Sequence, residues 1–293
     1  MTEDKTKPQS APKADDAQEA FDKAALDART ISGLFYPSRW EGAANFSETP
    51  AAAFDADRLP PDSLRHWYSL GDDEGYLRTG KFDAGNYRRL FNEFRKIDAG
   101  DRLVEIGCSS GRILRWFNDD AERGVEVWGV DIDADSIRWA ETNIGSSIHF
   151  MTNSTHPHLP FEDRYFDFIY GNSLFTHIGE HATAWMMEVR RVLSDDGVAI
   201  FTFNDTASIG WLKERFPNVD DIRYSNPKKL LKELEARGNP SFSRILINRS
   251  PWQLSVWYDQ EYLTRLLGRW FDVKKVVPGF AAYQTGYVLG RKR

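Results

Sequence analysis

Two carboxylates and a glycine turn carry the chemistry legible in this sequence. Glu105-Ile106-Gly107-Cys108-Ser109-Ser110-Gly111 closes one apolar run, and Val127-Trp128-Gly129-Val130-Asp131-Ile132 closes another, about twenty residues on. Gly107 and Gly111 carry no Cβ, so backbone there can approach a ligand. A helix opening at Arg112 would aim its free N–H groups at the same place. Asp131, closing the second run, can accept both hydroxyls of a ribose. Glu105 narrows the ligand further. A carboxylate beside the turn repels a pyrophosphate and suits a cation, such as an ammonium beside a sulfonium.

The elements that must position these residues follow from patterning. Short apolar runs predict strands at 102–106, 125–130, 148–152, 166–170 and 198–203. Amphipathic spacing predicts helices at 84–94, 112–119, 134–143 and 180–192, with Asp133 or Asp135 available to cap the third. A helix at Tyr258–Gly268 comes next. Trp270–Val277 and Thr285–Arg291, joined at Pro278-Gly279, predict a terminal antiparallel hairpin. The alternation implies an α/β, Rossmann-like fold: a mostly parallel seven-stranded sheet with helices on both faces.

Three regions depart from that alternation. Residues 1–30 are polar and Ala-rich, a disordered or weakly helical tail. Residues 31–80 hold many aromatics among Pro and Gly, an extension expected to pack on the core. Residues 81–293 form the main domain, with an insertion at about 205–251. Its two amphipathic patterns are Ile209–Phe216 and Lys228–Ala236. Long insertions of this kind are usually functional or disordered.

Composition excludes several classes. The net charge of −6 argues against a nucleic-acid partner held by broad electrostatics. Cys108 is the lone cysteine, so an internal disulfide and a four-cysteine zinc site are excluded. No apolar run approaches the length of a membrane span. No apolar core follows Met1, which predicts a cytoplasmic protein. Oligomeric state is not encoded in any pattern here.

In these motifs the chain resembles the class I S-adenosylmethionine-dependent methyltransferases. Their first motif is an acid, any residue and a Gly-rich turn; their second is an acid closing the second strand. The middle glycine of the turn is Ser109 here. Ile148–Asn153, the Leu159-Pro160-Phe161 turn before Phe166–Tyr170, and Gly171–Ile178 continue the likeness, which spans about residues 76–293. The resemblance implies S-adenosylmethionine as cofactor, held by Glu105, Gly107, Cys108, Gly111, Asp131 and Ile132. Asn153 would meet the adenine amino group and Asn172 the methionine part. Arg78, before Thr79-Gly80, reads either as a bidentate partner of the cofactor's carboxylate or as a surface arginine. The Ser173–Ile178 run resembles a branch associated with glycans and secondary metabolites. It implies methyl transfer to a hydroxyl of a small-molecule or glycan acceptor, with His177 as the base.

Three rival readings exist. A nicotinamide-dependent oxidoreductase would need G-x-G-x-x-G, which is missing. A non-catalytic S-adenosylmethionine-binding protein shares every cofactor motif. His177-Ile178-Gly179-Glu180-His181 fits H-x-x-E-H, but a zinc site needs both histidines on one helical face, and Gly179 disfavours that helix. No metal is expected. Thr155-His156-Pro157-His158 reads as a solvated loop.

Overall fold

The computed structural model describes residues 57–65, 68, 71–144, 147–215, 244–248 and 254–292. The 1–30 tail, most of the aromatic extension and the Lys228–Ala236 pattern lie outside the described residues.

Five parallel strands form the heart of the sheet: β1 (Arg102–Ile106), β2 (Glu126–Asp131), β3 (Ile148–Thr152), β4 (Phe166–Gly171) and β5 (Leu193–Asp205). Their order is β3-β2-β1-β4-β5. The antiparallel hairpin expected at the end is present: β8 (Phe271–Ala281) pairs with β9 (Gln284–Arg291), and β9 lies antiparallel to β5. These seven strands match the expected sheet. Two more were not expected. β6 (Arg244–Asn248) and β7 (Leu254–Tyr258) form a hairpin attached where β7 pairs with Asn204 and Asp205 of β5. Asp205, placed in the insertion by sequence, therefore ends β5.

Helices cover both faces. On one lie α1 (Asp73–Asn92), α2 (Asn118–Glu122) and α3 (Ala134–Asn143). Tyr87, Phe91, Phe117 and Ile137 pack there against Leu103, Phe168 and Tyr170. On the other lie α4 (Ala182–Val192) and α6 (Gln260–Leu267), whose Trp185, Val189 and Leu263 pack against Val104, Ile169 and Phe201. α5 (Thr206–Arg215) is the first amphipathic pattern of the insertion. Its Trp211 lies against Gly279, so α5 packs on the terminal hairpin.

Two local expectations are corrected. The first helix starts at Asp73, capped by the Asp72 carboxylate on Gly75 N–H at 2.8 Å, and runs across the boundary drawn at residue 80. Gly75, Gly80 and Gly85 each lower helix propensity, which hid its first half. Gly80 has a packing reason: a Cβ there would lie 2.3 Å from the Arg112 carbonyl oxygen. The other correction concerns 112–119. No regular α-helix opens at Arg112; a 3-10 turn, Leu114–Phe117, precedes the single turn of α2. Left-handed φ values at Ser109 (50°) and Gly111 (73°) hold the preceding chain out of helical geometry.

Candidate functional site

The carboxyl ends of β1, β2 and β3 meet at Asp131. Its Oδ2 accepts from Ser109 N–H at 2.7 Å and its Oδ1 from Asp133 N–H at 2.8 Å. Its carbonyl accepts from Asn153 N–H at 2.7 Å. One residue thus braces the glycine turn, its own strand end and the end of β3. A carboxylate has about four acceptor sites, so this group can hold the turn and take ribose hydroxyls as well. Beside it Ile132 is 46% exposed, an apolar surface at a strand end that suits an adenine face. Asn153 is buried next to it.

The turn needs its glycines for different reasons. Gly107 has φ 81°, and a Cβ on it would meet Leu174 Cδ1 at 3.2 Å across the crevice. Gly111 has a packing reason. Its open side is filled by Ile144, whose Cδ1 would lie 2.3 Å from an added Cβ. Cys108 is also turned inward. Its thiol sits in the core beside Gly129, and burial raises its pKa well above the ordinary value. Only its backbone can border a ligand.

Glu105 is 2% exposed and has Tyr170 as its register partner on β4. The Tyr170 hydroxyl donates to Glu105 Oε2 at 2.9 Å. Burial pushes the carboxyl up to about 8; the Tyr170 bond and the Arg112 charge oppose it, while Asp131 and Asp83 add to it. A cation entering here would favour the ionised form.

Asn172 follows β4 and points to the same side. Its Oδ1 accepts from the Tyr87 hydroxyl at 3.1 Å, and its Nδ2 donates to the Tyr68 hydroxyl at 3.4 Å. Tyr87 packs on Tyr170 with the rings tilted by 36° and centroids 4.5 Å apart. Tyr68, Tyr87 and Tyr170 were not singled out from sequence. Strand alternation carried the signal for Tyr170, since residue 170 and residue 105 share a face in adjacent strands.

Arg112 reaches the site from the turn, whereas Arg78 stands on the surface of α1. Arg78 is exposed on α1 and pairs with Glu74 at 3.3 Å. Arg112 is 6% exposed, pairs with Asp83 at 2.7 Å and lies over the Tyr68 ring. Ser109 and Ser110 hydroxyls both donate to the Leu64 carbonyl, and Ser110 bonds the Tyr76 hydroxyl at 3.0 Å. The Leu64 carbonyl, before α1, is therefore stitched to the turn.

His177 lies on the exposed turn after β4, its N–H bonded to the Leu174 carbonyl at 3.0 Å. His181 immediately precedes α4, so the two histidines do not share a helical face. Among the described residues no group of three His, Cys, Asp or Glu could hold a metal ion. Glu180 lies just before α4 rather than in its first turn. His156 and His158 are exposed, as expected of a solvated loop.

The comparisons with known proteins bear on the domain and the fold. Residues 104–201 match the family model of a methyltransferase domain. An uncharacterized protein of Methanocaldococcus jannaschii is 27% identical over 49% of this chain and 50% of its own length. A probable fatty acid methyltransferase of Mycobacterium tuberculosis is 36% identical over 19% of this chain and 12% of its own. The chain thus spans half or less of these curated relatives. The complex of the Haloferax volcanii Trm112 methyltransferase activator with its candidate methyltransferase shares the fold, with TM-score 0.51 and 13% identity over 80% of this chain and 99% of that one. Residues 104–201 thus carry a methyltransferase domain, an enzyme domain with S-adenosylmethionine as its cofactor. The residues present fit that cofactor: a strand-end carboxylate for ribose, an exposed isoleucine for adenine, and a buried carboxyl where positive charge must sit. No helix among the described residues is long and apolar enough to cross a membrane.

Proposed function

We propose that the whole protein is a methyltransferase acting on a hydroxyl oxygen of a small-molecule or glycan-type acceptor. The observation that carries the cofactor part is the bracing of Ser109, Asp133 and Asn153 by Asp131. Asp131 and Ile132 would hold the nucleoside, Glu105 and Asn172 the cationic methionine end, and Arg112 the carboxylate. When bound, S-adenosylmethionine supplies an electrophilic methyl group.

The chain's own residues do the rest. They align an acceptor hydroxyl and keep water away. His177, exposed on the turn after β4, takes the hydroxyl proton. α5 and the β6–β7 hairpin follow the carboxyl end of β5, where ligands of open α/β sheets bind. They border the acceptor side, and residues 57–65 with Tyr68 border the cofactor side.

Calorimetry with S-adenosylhomocysteine tests the cofactor reading. Labelled S-adenosylmethionine with a metabolite extract tests turnover. Binding with no label transfer to any metabolite would favour the non-catalytic reading; absence of binding would end both.

A further inference from the structure

Asn204 and Gln284 stand at the carboxyl end of β5 on the face that also carries Tyr170, Asn172 and Thr202. The β5–β9 register pairs Phe203 with Thr285, so the next opposed positions are Asn204 and Gln284. Asn204 is 2% exposed and Gln284 8%. Asn204 Oδ1 and Gln284 Oε1 are both buried and make no hydrogen bond. Two neighbouring amide oxygens left unpaired at a ligand-binding strand end are costly to the fold.

The orientation of Gln284 is fixed by its neighbours. Thr176 Oγ1 donates to the Ser173 carbonyl at 2.5 Å, so it must accept from Ser173 Oγ, 3.1 Å away. Ser173 Oγ has then spent its proton and can only accept from Gln284 Nε2 at 2.6 Å. The amide nitrogen is on that side, and the oxygen is the unpaired end. Ser173 N–H is itself held by Thr202 Oγ1 at 2.6 Å. The Gln284 amide thus presents its oxygen as an acceptor.

Trp257 is the register partner of Asn204 on β7 and shares its face. Tyr283, next to Gln284, stacks on Trp257 at 6.3 Å with planes 10° apart. An aromatic pair thus flanks two amide oxygens.

We infer that Asn204 and Gln284, beside Trp257 and Tyr283, form the acceptor subsite. It takes a ring bearing adjacent hydroxyls, whose two O–H groups donate to the two amide oxygens. An acyl chain has no donor to offer them. The inference rests on the methyl-transfer reading of the crevice and names the acceptor class it would serve.

The test uses the full chain with methyl α-D-mannopyranoside as the diol probe and dodecanoate as the donor-free comparison. Ligand-observed NMR is read with and without S-adenosylhomocysteine. The wild type should bind the glycoside and not dodecanoate. Asn204→Leu should weaken glycoside binding at least ten-fold, keep S-adenosylhomocysteine affinity, and melt no lower than wild type. A purely structural amide would instead lower the melting temperature on substitution. If Leu is too bulky to fold, Asn204→Ala carries the same comparison. Silence of the glycoside with wild type, preference for dodecanoate, equal glycoside binding in the variant, or a lowered melting temperature in both variants overturns the subsite. Failure of S-adenosylhomocysteine alone overturns the methyl-transfer reading, and the glycoside arm still decides the subsite.

Discussion

Tyr170 and Glu105 face each other across the β1–β4 register, and the tyrosine hydroxyl donates to Glu105 Oε2 at 2.9 Å. The bond gives a buried acid a partner without giving it a counter-charge. Arg112 contributes charge but is already paired with Asp83. The carboxyl therefore holds its proton up to about pH 8, chiefly because it is buried.

A pH-dependent stability follows. An acid whose folded pKa lies above its unfolded one binds more protons in the folded state, so stability falls as pH rises between the two values. Here that window runs from about 4.5 to about 8. Glu105→Gln keeps an oxygen for Tyr170 and removes the titration. Urea unfolding across pH 5 to 9 should show the wild type losing stability relative to the variant up to about pH 8, then running parallel. Curves parallel throughout would mean that Glu105 does not titrate in this window.

Cofactor binding should release a proton for the same reason. A sulfonium and an ammonium favour ionised Glu105, so below pH 8 binding of S-adenosylmethionine expels its proton. Calorimetry at pH 7 in two buffers of different ionisation enthalpy should give different apparent enthalpies for wild type, and nearly equal ones for Glu105→Gln.

Asp131→Ala should act on ligand and fold together. It strands the Ser109 and Asp133 amides and removes the ribose acceptor. The expected loss of S-adenosylhomocysteine affinity is about 1–3 kcal/mol, or roughly five- to 150-fold. An unchanged dissociation constant would place the ribose elsewhere.

Much of this site was legible because its signals are local. Gly107, Asp131 and Asn153 sit at strand ends that apolar runs announce. What escaped the sequence depends on long-range packing. Arg78 and Arg112 look equally able to bind a carboxylate as residue types, but only the tertiary placement of α1 buries one and leaves the other on the surface. Gly111 reads like Gly107, yet its missing Cβ makes room for Ile144. The β6–β7 hairpin has too few residues and too weak an alternation to announce itself, and its partner is the far end of β5. The three glycines of α1 hid its first half because propensity was overruled by contact with the Arg112 carbonyl.

That contrast between arginines is itself a prediction. Arg78→Ala should leave stability within about 0.5 kcal/mol and leave S-adenosylhomocysteine affinity unchanged. Arg112→Ala leaves Asp83 largely buried without its partner at 2.7 Å. Breaking such a pair costs about 3–5 kcal/mol. Equal effects of the two substitutions on chemical unfolding would contradict the placement.

The last prediction separates the two glycines of the turn. Gly107→Ala adds a Cβ 3.2 Å from Leu174 Cδ1, at the crevice. Gly111→Ala adds one 2.3 Å from Ile144 Cδ1, inside the core. Both positions have positive φ, so both pay backbone strain of about 1 kcal/mol or more. Gly111→Ala adds overpacking of about 1–3 kcal/mol. Ile144→Val removes the clashing Cδ1 and should recover that second part in the Gly111→Ala background, leaving the strain. It should recover nothing in the Gly107→Ala background, where the neighbour is Leu174. A double-mutant cycle on unfolding free energies measures the difference directly. An interaction near zero between positions 111 and 144 would mean the turn shifts to absorb the methyl, and the tight seat assigned to Gly111 would be wrong.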